Sequence, residues 1–294
     1  MSSFEPNPIA TTEGATGSDP LVARVPRLPK SRASSTIGFW LFVALVLAAV
    51  VGPMLVAFGP DAVDPPNAFQ PPSWDHPMGT DNLGRDQLSR FLTGARVSML
   101  VGIGAISIGA SIGLALGVVA GLFGKYVDVV VSWIIEVLQT FPGVLLALAM
   151  ITILGPGMQN LLIAVGVAFI PSFARMTRAL VFSLREQTFI EAARAIGNPT
   201  IRIVMRHLLP NMARPLTVLG TLGLGAAILE GTALSFLGLG VQPPNPEWGS
   251  MLSAGSAFIR TAWWLTVFPG LGIFLAVLAS NLMGEGLSGR GSST

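Results

Sequence analysis

Long apolar stretches dominate the chain, and short polar segments separate them. A helix needs about 20 mostly apolar residues to cross the roughly 30 Å hydrocarbon core of a membrane. The pattern therefore predicts six transmembrane helices, at residues 37–58, 97–123, 129–154, 161–184, 216–239 and 263–283. One or two of these stretches also fit a buried helix of a soluble core. Six of them leave too little polar surface for a soluble globule.

The remaining segments divide the chain further. Residues 1–36 are polar and rich in Ser, Thr, Pro and Gly, which predicts a flexible tail. The first apolar stretch begins too late and is too long for a cleavable signal peptide, so we expect it to stay as an anchor. The pattern further predicts an external loop at residues 59–96, a five-helix core at residues 97–284 that includes the loop 185–214, and a second tail at residues 285–294.

Positive charge predicts the orientation. If the amino terminus is cytoplasmic, thirteen of the 17 Lys and Arg residues fall on the cytoplasmic side and four on the other side. Cytoplasmic segments of membrane proteins carry an excess of Lys and Arg. Both termini are therefore predicted to lie in the cytoplasm.

Composition excludes several function classes. The chain is 51% hydrophobic and only 11% charged, with a mean hydropathy of +0.68, so it is neither disordered nor an ordinary soluble domain. It has no cysteine, which excludes a thiol nucleophile and any thiolate-bound metal. His76 and His207 are predicted on opposite sides of the membrane, so we expect no metal site. A net charge of +2 gives no sign of a nucleic-acid surface.

Two external segments are candidates for more than connection. In the first, Asp81 and Asp86 are expected to accept hydrogen bonds from Arg85 and Arg90, and the segment is expected to form a short surface helix. A solvated loop is the open alternative. The second segment contains Pro243, Pro244 and Pro246, which predict a rigid turn. Its tryptophans suit a belt of aromatic residues at the membrane–water interface, and they are Trp248, Trp263 and Trp264.

The loop 185–214 predicts two short helices. The first covers residues 189–196 and stops at Gly197. The second is expected to be capped by Asn198, to begin at Pro199 and to end at Pro210. Both helices contribute to one apolar side edged by arginines, which fits either a docking surface or a segment lying on lipid head groups. That side comprises Ile190, Ala193, Ile196, Ile201 and Val204, with Arg194, Arg202 and Arg206 around it.

Other residues inside the predicted spans are unusual. Glu136 and Glu230 are ionisable, and such residues in a membrane are functional candidates, with a helix–helix hydrogen bond as the alternative. Glycines recur every fourth residue in the second span, which allows helix backbones to approach closely. Either a sliding seam or a fixed contact fits this pattern: Gly109, Gly113, Gly117 and Gly121.

The spacing in the loop 185–214 matches a known motif. Three residues separate the triplet Glu191-Ala192-Ala193 from Gly197. Nine more residues separate Gly197 from His207, which lies two positions before Leu209-Pro210. This resembles the EAA loop of bacterial ABC-importer permeases. The segments 79–96 and 234–249 resemble the "C" permease of dipeptide and oligopeptide importers. One departure is Trp133, where that family usually has Arg, with Glu136 near the place of its usual Asp.

The resemblance implies an all-α type I importer permease fold with a cytoplasmic coupling helix, in the inner membrane of a bacterium. It implies a sister permease, two ABC ATPases and an external substrate-binding protein as partners. The cargo would be short peptides, or alternatively a nickel complex or another small solute. The residues implied to couple to the ATPases are Glu191, Ala192, Ala193, Arg194, Ile196, Gly197, Ile201, His207 and Pro210.

The chain is not expected to be an enzyme. It lacks the Gly-x-x-x-x-Gly-Lys-[Ser/Thr] sequence of a P-loop, so ATP and Mg²⁺ are expected on partner subunits and no cofactor on this chain. Two other classes remain as alternatives, an ATP-independent secondary transporter and a membrane scaffold. The first predicts inverted repeats, and neither accounts for both the EAA spacing and the external segments.

Overall fold

A computed structural model describes residues 32–288, and every regular element in that part of the chain is a helix apart from one isolated β-bridge between Thr80 and Asp86. Most of the predicted tail 1–36 lies outside the described residues, but its last residues, 32–36, already belong to a helix. At the other end, the predicted tail 285–294 starts inside the last helix. Both predicted tails are therefore shorter than the hydropathy pattern indicates.

The helices in chain order are α1 (Arg32–Leu55), α2 (Gln87–Leu122), α3 (Lys125–Gln139), α4 (Gly143–Leu154), α5 (Met158–Arg185), α6 (Thr188–Ala195), α7 (Thr200–Ile203), α8 (Leu209–Phe236), α9 (Trp248–Ser256) and α10 (Trp264–Ser288). A 3₁₀ turn, Pro65–Asn67, precedes α2, and a π-helical turn, Val204–Leu208, joins α7 to α8. Within residues 32–288, five helices are long and apolar enough to cross a membrane by themselves.

The predicted third span is not one helix. It consists of α3 and α4, which meet at a bend of 90°. Pro142 lies at the break, as the residue before α4. Proline has no N–H to donate, and it disfavours helical geometry for the residue before it. The prediction of six spans therefore holds if this bent pair counts as one.

Helix α2 is longer than its predicted span. It has 36 residues, which at 1.5 Å per residue gives about 54 Å. Asp86 caps it by accepting a 2.8 Å hydrogen bond from the Ser89 N–H. The predicted surface helix before the second span is therefore wrong as a separate element, because the first residues of α2 take its place.

The glycines of α2 bring it against α5. A Cβ on Gly113 would lie 2.5 Å from Phe173 Cβ, and one on Gly117 would lie 2.5 Å from Thr177 Cβ. Both distances are far below van der Waals contact, so only glycine fits. The predicted close approach is confirmed. The core around it consists mainly of small and branched residues of α2, α4, α5 and α8, among them Val101, Ala105, Ala147, Leu161, Val165 and Ala227.

The second helix of the loop 185–214 does not end at Pro210. Residues 200–236 are continuously helical, and Pro210 lies just after the π-helical turn, at the start of α8. The predicted cap is also wrong. Pro199 occupies the cap position of α7 without a side-chain hydrogen bond, while the Asn198 side-chain oxygen accepts from Arg202 at 3.2 Å.

Candidate functional site

The loop between α5 and α8 presents a short helix, α6, on an apolar base. Ile190 and Ala193 are buried, and they pack with Val181, Leu208 and Met212 of the neighbouring helices. Residues three apart lie on the same face of a helix, so this pair anchors α6 along one stripe. The helix is thereby fixed to the ends of α5 and α8.

The predicted single apolar ridge is therefore wrong. Ile190 and Ala193 face inward, whereas Ile196 and Ile201 are 79% and 68% exposed. Met205, which the sequence pattern did not single out, is 60% exposed beside them. A short helix can bury only one stripe, and the sequence pattern does not show which one.

The exposed part of the loop is the candidate docking surface. It combines the apolar side chains of Ile196, Ile201 and Met205 with exposed charged residues. Three of the predicted coupling residues, Glu191, Ala192 and Arg194, are exposed on α6 itself. Two other predicted coupling residues, Gly197 and Pro210, are also exposed. His207 is half-buried, and Ala193 belongs to the apolar base of α6.

Gly197 terminates α6. Its φ is +80°, and a Cβ there would have no heavy atom within 4 Å. The Gly197 N–H donates to the Arg194 carbonyl at 2.9 Å, and the Asn198 N–H donates to the Ala193 carbonyl at 3.1 Å. The predicted stop is confirmed, and its cause is backbone conformation rather than lack of space.

An ion pair next to the loop was missed by sequence reasoning. Arg178 of α5 donates two hydrogen bonds to the Asp128 carboxylate of α3, one of them 2.7 Å from Nη2 to Oδ2. About two helical turns later in α5, Arg185 donates to the Gly121 carbonyl at 2.9 Å. Phe182 lies between both guanidinium groups, at 4.8 and 4.2 Å from ring centre to Cζ. The end of α5 is thus tied to α2 and α3. The only sequence signal was an Asp in the first turn of a helix.

The opposite end of the bundle carries residues 56–86 and 237–263, here called the cap. Arg90 ties its two parts together, since it donates to the Pro60 carbonyl at 2.8 Å and to the Pro244 carbonyl at 3.4 Å. It also forms ion pairs with Asp61 and, at 3.7 Å, with Asp81. Its side chain is only 9% exposed, so Arg90 acts inside the cap.

The predicted partners of the two aspartates are half right. Asp81 accepts from Arg85 Nε at 2.7 Å, as expected. Asp86 is paired with His76 instead of an arginine, at 2.8 Å from Oδ1 to Nδ1. Its other oxygen accepts the Ser89 N–H at the start of α2, so both carboxylate oxygens have a hydrogen-bond partner. Asp81 and Asp86 are buried, so they shape the cap from within.

Two of the three tryptophans are not interfacial. Trp248 is fully buried and donates from Nε1 to the Phe91 carbonyl at 3.1 Å. Trp264 is buried and donates to the Thr80 carbonyl at 3.0 Å. Only Trp263, which is 49% exposed, fits the predicted belt. The prediction failed because an indole N–H suits a buried carbonyl as well as a membrane surface.

Glu247 is another residue that sequence reasoning missed. Its carboxylate caps α9 by accepting from the N–H groups of Gly249 and Ser250, both at 2.9 Å, and it accepts from Ser98 Oγ at 3.0 Å. Burial raises the pKa of Glu247, and the two backbone hydrogen bonds oppose that rise. The residue therefore fixes the second part of the cap to α2.

The two acids inside predicted spans have different surroundings. Glu136 is exposed on α3. Glu230 of α8 is half-buried, and its Oε2 is buried without a hydrogen-bond partner. Glu230 lines a cavity of about 230 Å³ at the bend between α3 and α4.

Comparison with known proteins places these features in context. Residues 113–290 match the family described as binding-protein-dependent transport system inner membrane component. Residues 30–72 match the N-terminal transmembrane domain of oligopeptide transport permease C.

The chain is also similar over most of its length to individual proteins. It is 42% identical to the dipeptide transport system permease protein of Alkalihalophilus pseudofirmus, covering 96% of this chain and 93% of that protein. It is 44% identical to the glutathione transport system permease protein of Escherichia coli O6:K15:H31, covering 84% and 82%. Among solved structures, the MetNI methionine ABC transporter in an inward-facing conformation matches with a TM-score of 0.51 at 20% identity, over 67% of this chain and 95% of that one. This last likeness concerns the fold alone.

Proposed function

The chain belongs to the family of inner membrane components of binding-protein-dependent transport systems, and we propose that it forms half of an import pathway for short peptides. It is a permease subunit of an ABC importer. The peptide cargo is supported by the names of two relatives, which are permeases for dipeptides and for glutathione. Both relatives are similar along most of the chain.

The observation that carries the proposal is the exposed surface on α6 and α7. Ile196, directly after α6, and Ile201, in α7, are exposed. The buried stripe of α6, in contrast, is anchored in the bundle. Exposed apolar groups rimmed by charge are typical of protein contacts. A partner ATPase that receives this surface in a groove can therefore move the bundle as a rigid body.

The predicted coupling residues take different parts in this proposal. Glu191, Ala192, Arg194, Ile196 and Ile201 make the contact itself. Ala193 holds α6 on its base, and Gly197 sets the direction of the chain between Ile196 and Ile201. ATP and Mg²⁺ belong to the partner ATPases, which supply the energy for the motion.

The proposal includes an orientation. With the loop 185–214, here called the coupling loop, in the cytoplasm, the cap faces the outside, as the distribution of Lys and Arg favours. The cap is then the surface that receives a substrate-binding protein. Asp81, Arg85, Asp86 and Arg90 set its shape from within. A sister permease completes the pore, and α3 offers it exposed apolar residues such as Val130, which is 57% exposed.

Purification of the tagged chain from its native membrane in mild detergent tests the assembly. We expect an ABC ATPase and a second six-span permease to be identified by mass spectrometry. Ile201→Asp should lose the ATPase. Trp74→Asp, which puts the same charge at a fully exposed residue of the cap (101% exposed), should retain it. A folded wild-type chain that brings down no ATPase would refute the proposal.

ATP-dependent uptake tests the cargo. Proteoliposomes that contain the complete importer are supplied with radiolabelled dialanine. We expect uptake that requires ATP and the binding protein. An importer that assembles and hydrolyses ATP but does not take up any di- or tripeptide would refute the peptide assignment and leave the assembly intact.

A further inference from the structure

The bend between α3 and α4 encloses a polar cavity that neither the coupling loop nor the cap explains. It has a volume of about 230 Å³ and is lined by residues of α3, α4, α5 and α8. One water occupies about 30 Å³ in the liquid, so the cavity has room for a larger group. Phe141, which lines it, is 57% exposed, so the cavity reaches the surface of the subunit.

Two hydrogen-bond acceptors in this cavity have no donor. Glu230 Oε2 and Gln139 Oε1 are both buried, and neither has a hydrogen-bond partner. They come from two different helices, α8 and α3. Buried polar atoms are nearly always paired, because an unpaired one loses its hydrogen bonds to water without replacement. Two unpaired acceptors on one cavity therefore point to an occupant that donates hydrogen bonds.

The chemistry of the lining specifies the donor. Glu230 supplies a carboxylate, which also lies against α4, since a Cβ on Gly143 would be 3.5 Å from Glu230 Oε1. Phe141 and Phe169 supply aromatic rings. A carboxylate, an amide oxygen and phenyl rings together suit an ammonium group, which donates three hydrogen bonds and is attracted to aromatic faces. A metal ion would need more oxygen ligands than this lining offers.

We propose that this cavity binds a primary ammonium group, and that during transport the group is the amino terminus of the peptide cargo. The identity of the cargo rests on the proposed function, whereas the chemistry of the cavity does not. Glu230 carries the charge and Gln139 orients the group. A straight third span would occupy this space with its own residues, whereas the bend between α3 and α4 leaves it open as a polar cavity.

Carbodiimide labelling tests the site on the purified complete importer. Dicyclohexylcarbodiimide reacts with carboxyl groups in apolar surroundings, and mass spectrometry of the digested chain measures the adduct at Glu230. We expect methylammonium and dialanine to reduce this labelling and N-acetyl-dialanine to leave it unchanged. Glu136, which is exposed and does not line the cavity, serves as the internal control. Equal labelling of Glu230 under all conditions would show a cavity that holds only water and would overturn the proposal.

Transport gives a second measurement that does not depend on the reactivity of Glu230. Glu230→Gln and Gln139→Leu should each raise the half-saturating concentration of dialanine by about tenfold, as expected for a lost hydrogen bond to a charged group. Thr152→Val should not change it, because this hydroxyl bonds only within α4, to the Leu148 carbonyl at 2.8 Å. Unchanged values in both cavity variants would also overturn the proposal.

The two proposals fail in different ways. If the wild-type importer takes up no peptide but methylammonium still protects Glu230, the cargo assignment fails and the ammonium site stands. If peptide uptake is normal and nothing protects Glu230 or depends on Gln139, the ammonium site fails and the cargo assignment stands.

Discussion

Replacement of Gly113 by alanine is expected to force α2 away from α5. The new Cβ would lie 2.5 Å from Phe173 Cβ, 2.7 Å from the Ile170 carbonyl oxygen and 2.9 Å from the Ala174 nitrogen. Two of these neighbours are backbone atoms, so no side-chain rotation relieves the clash. Carbon atoms in contact are separated by about 3.5 to 4.0 Å. The helices must therefore part by about 1 Å at this point.

The size of the effect follows from this displacement. An extra methyl group in a well-packed interior costs about 1 to 3 kcal/mol. The higher helix propensity of alanine offsets at most about 1 kcal/mol. Gly270→Ala isolates this second contribution, because Gly270 lies in α10 and a Cβ there would meet no heavy atom within 4 Å.

Thermal unfolding of the detergent-solubilised subunit measures the difference, with tryptophan fluorescence as the signal. We expect Gly113→Ala to lower Tm by several degrees, since 1 kcal/mol corresponds to about 2 to 4 °C in domains of 150 to 250 residues. Gly270→Ala should leave Tm unchanged or raise it. A Gly113→Ala variant as stable as Gly270→Ala would refute the close packing of α2 on α5.

Three further predictions concern the coupling loop, its ion pair and the orientation. Gly197→Ala has open space for the methyl group but strains a backbone with positive φ by about 1 to 2 kcal/mol. We therefore expect ATP-dependent uptake to fall while assembly in the pull-down persists. Full uptake would contradict the role of this turn. Asp128→Asn should destabilise the subunit by about 1 kcal/mol, a small value because Arg178 is one-third exposed, and an unchanged Tm would show that the pair has no net effect. Since the chain has no cysteine, Asp75→Cys should react with an impermeant maleimide added outside intact cells and Glu186→Cys should not; the reverse labelling would invert the proposed orientation.

The sequence predicts those features that depend on local composition. A stretch of about 20 apolar residues is enough to identify a span, and five of the six predicted spans are single long helices. The glycine spacing in α2 predicts close packing because only glycine lacks a Cβ. Gly197 stops α6 as expected, since its effect depends on the backbone of its immediate neighbours.

Features that depend on distant contacts were not predicted. Hydropathy does not distinguish burial in protein from burial in lipid, so it misplaces Trp248 and Trp264. Their indole groups bond to the carbonyls of Phe91 and Thr80, which are 157 and 184 residues away in the chain. The same limit explains why the inward orientation of Ile190 was missed, because the residues that cover it come from other helices.

The length of α2 has a mechanical consequence. Its first turn borders the cap, and Arg90 in that turn holds both parts of the cap. Its last turn accepts a hydrogen bond from Arg185, the first residue of the coupling loop. A single uninterrupted rod therefore joins the two ends of the subunit. A tilt of about 5° over its roughly 54 Å length would displace one end by about 5 Å relative to the other, so a small rotation of α2 would be transmitted from one end of the subunit to the other.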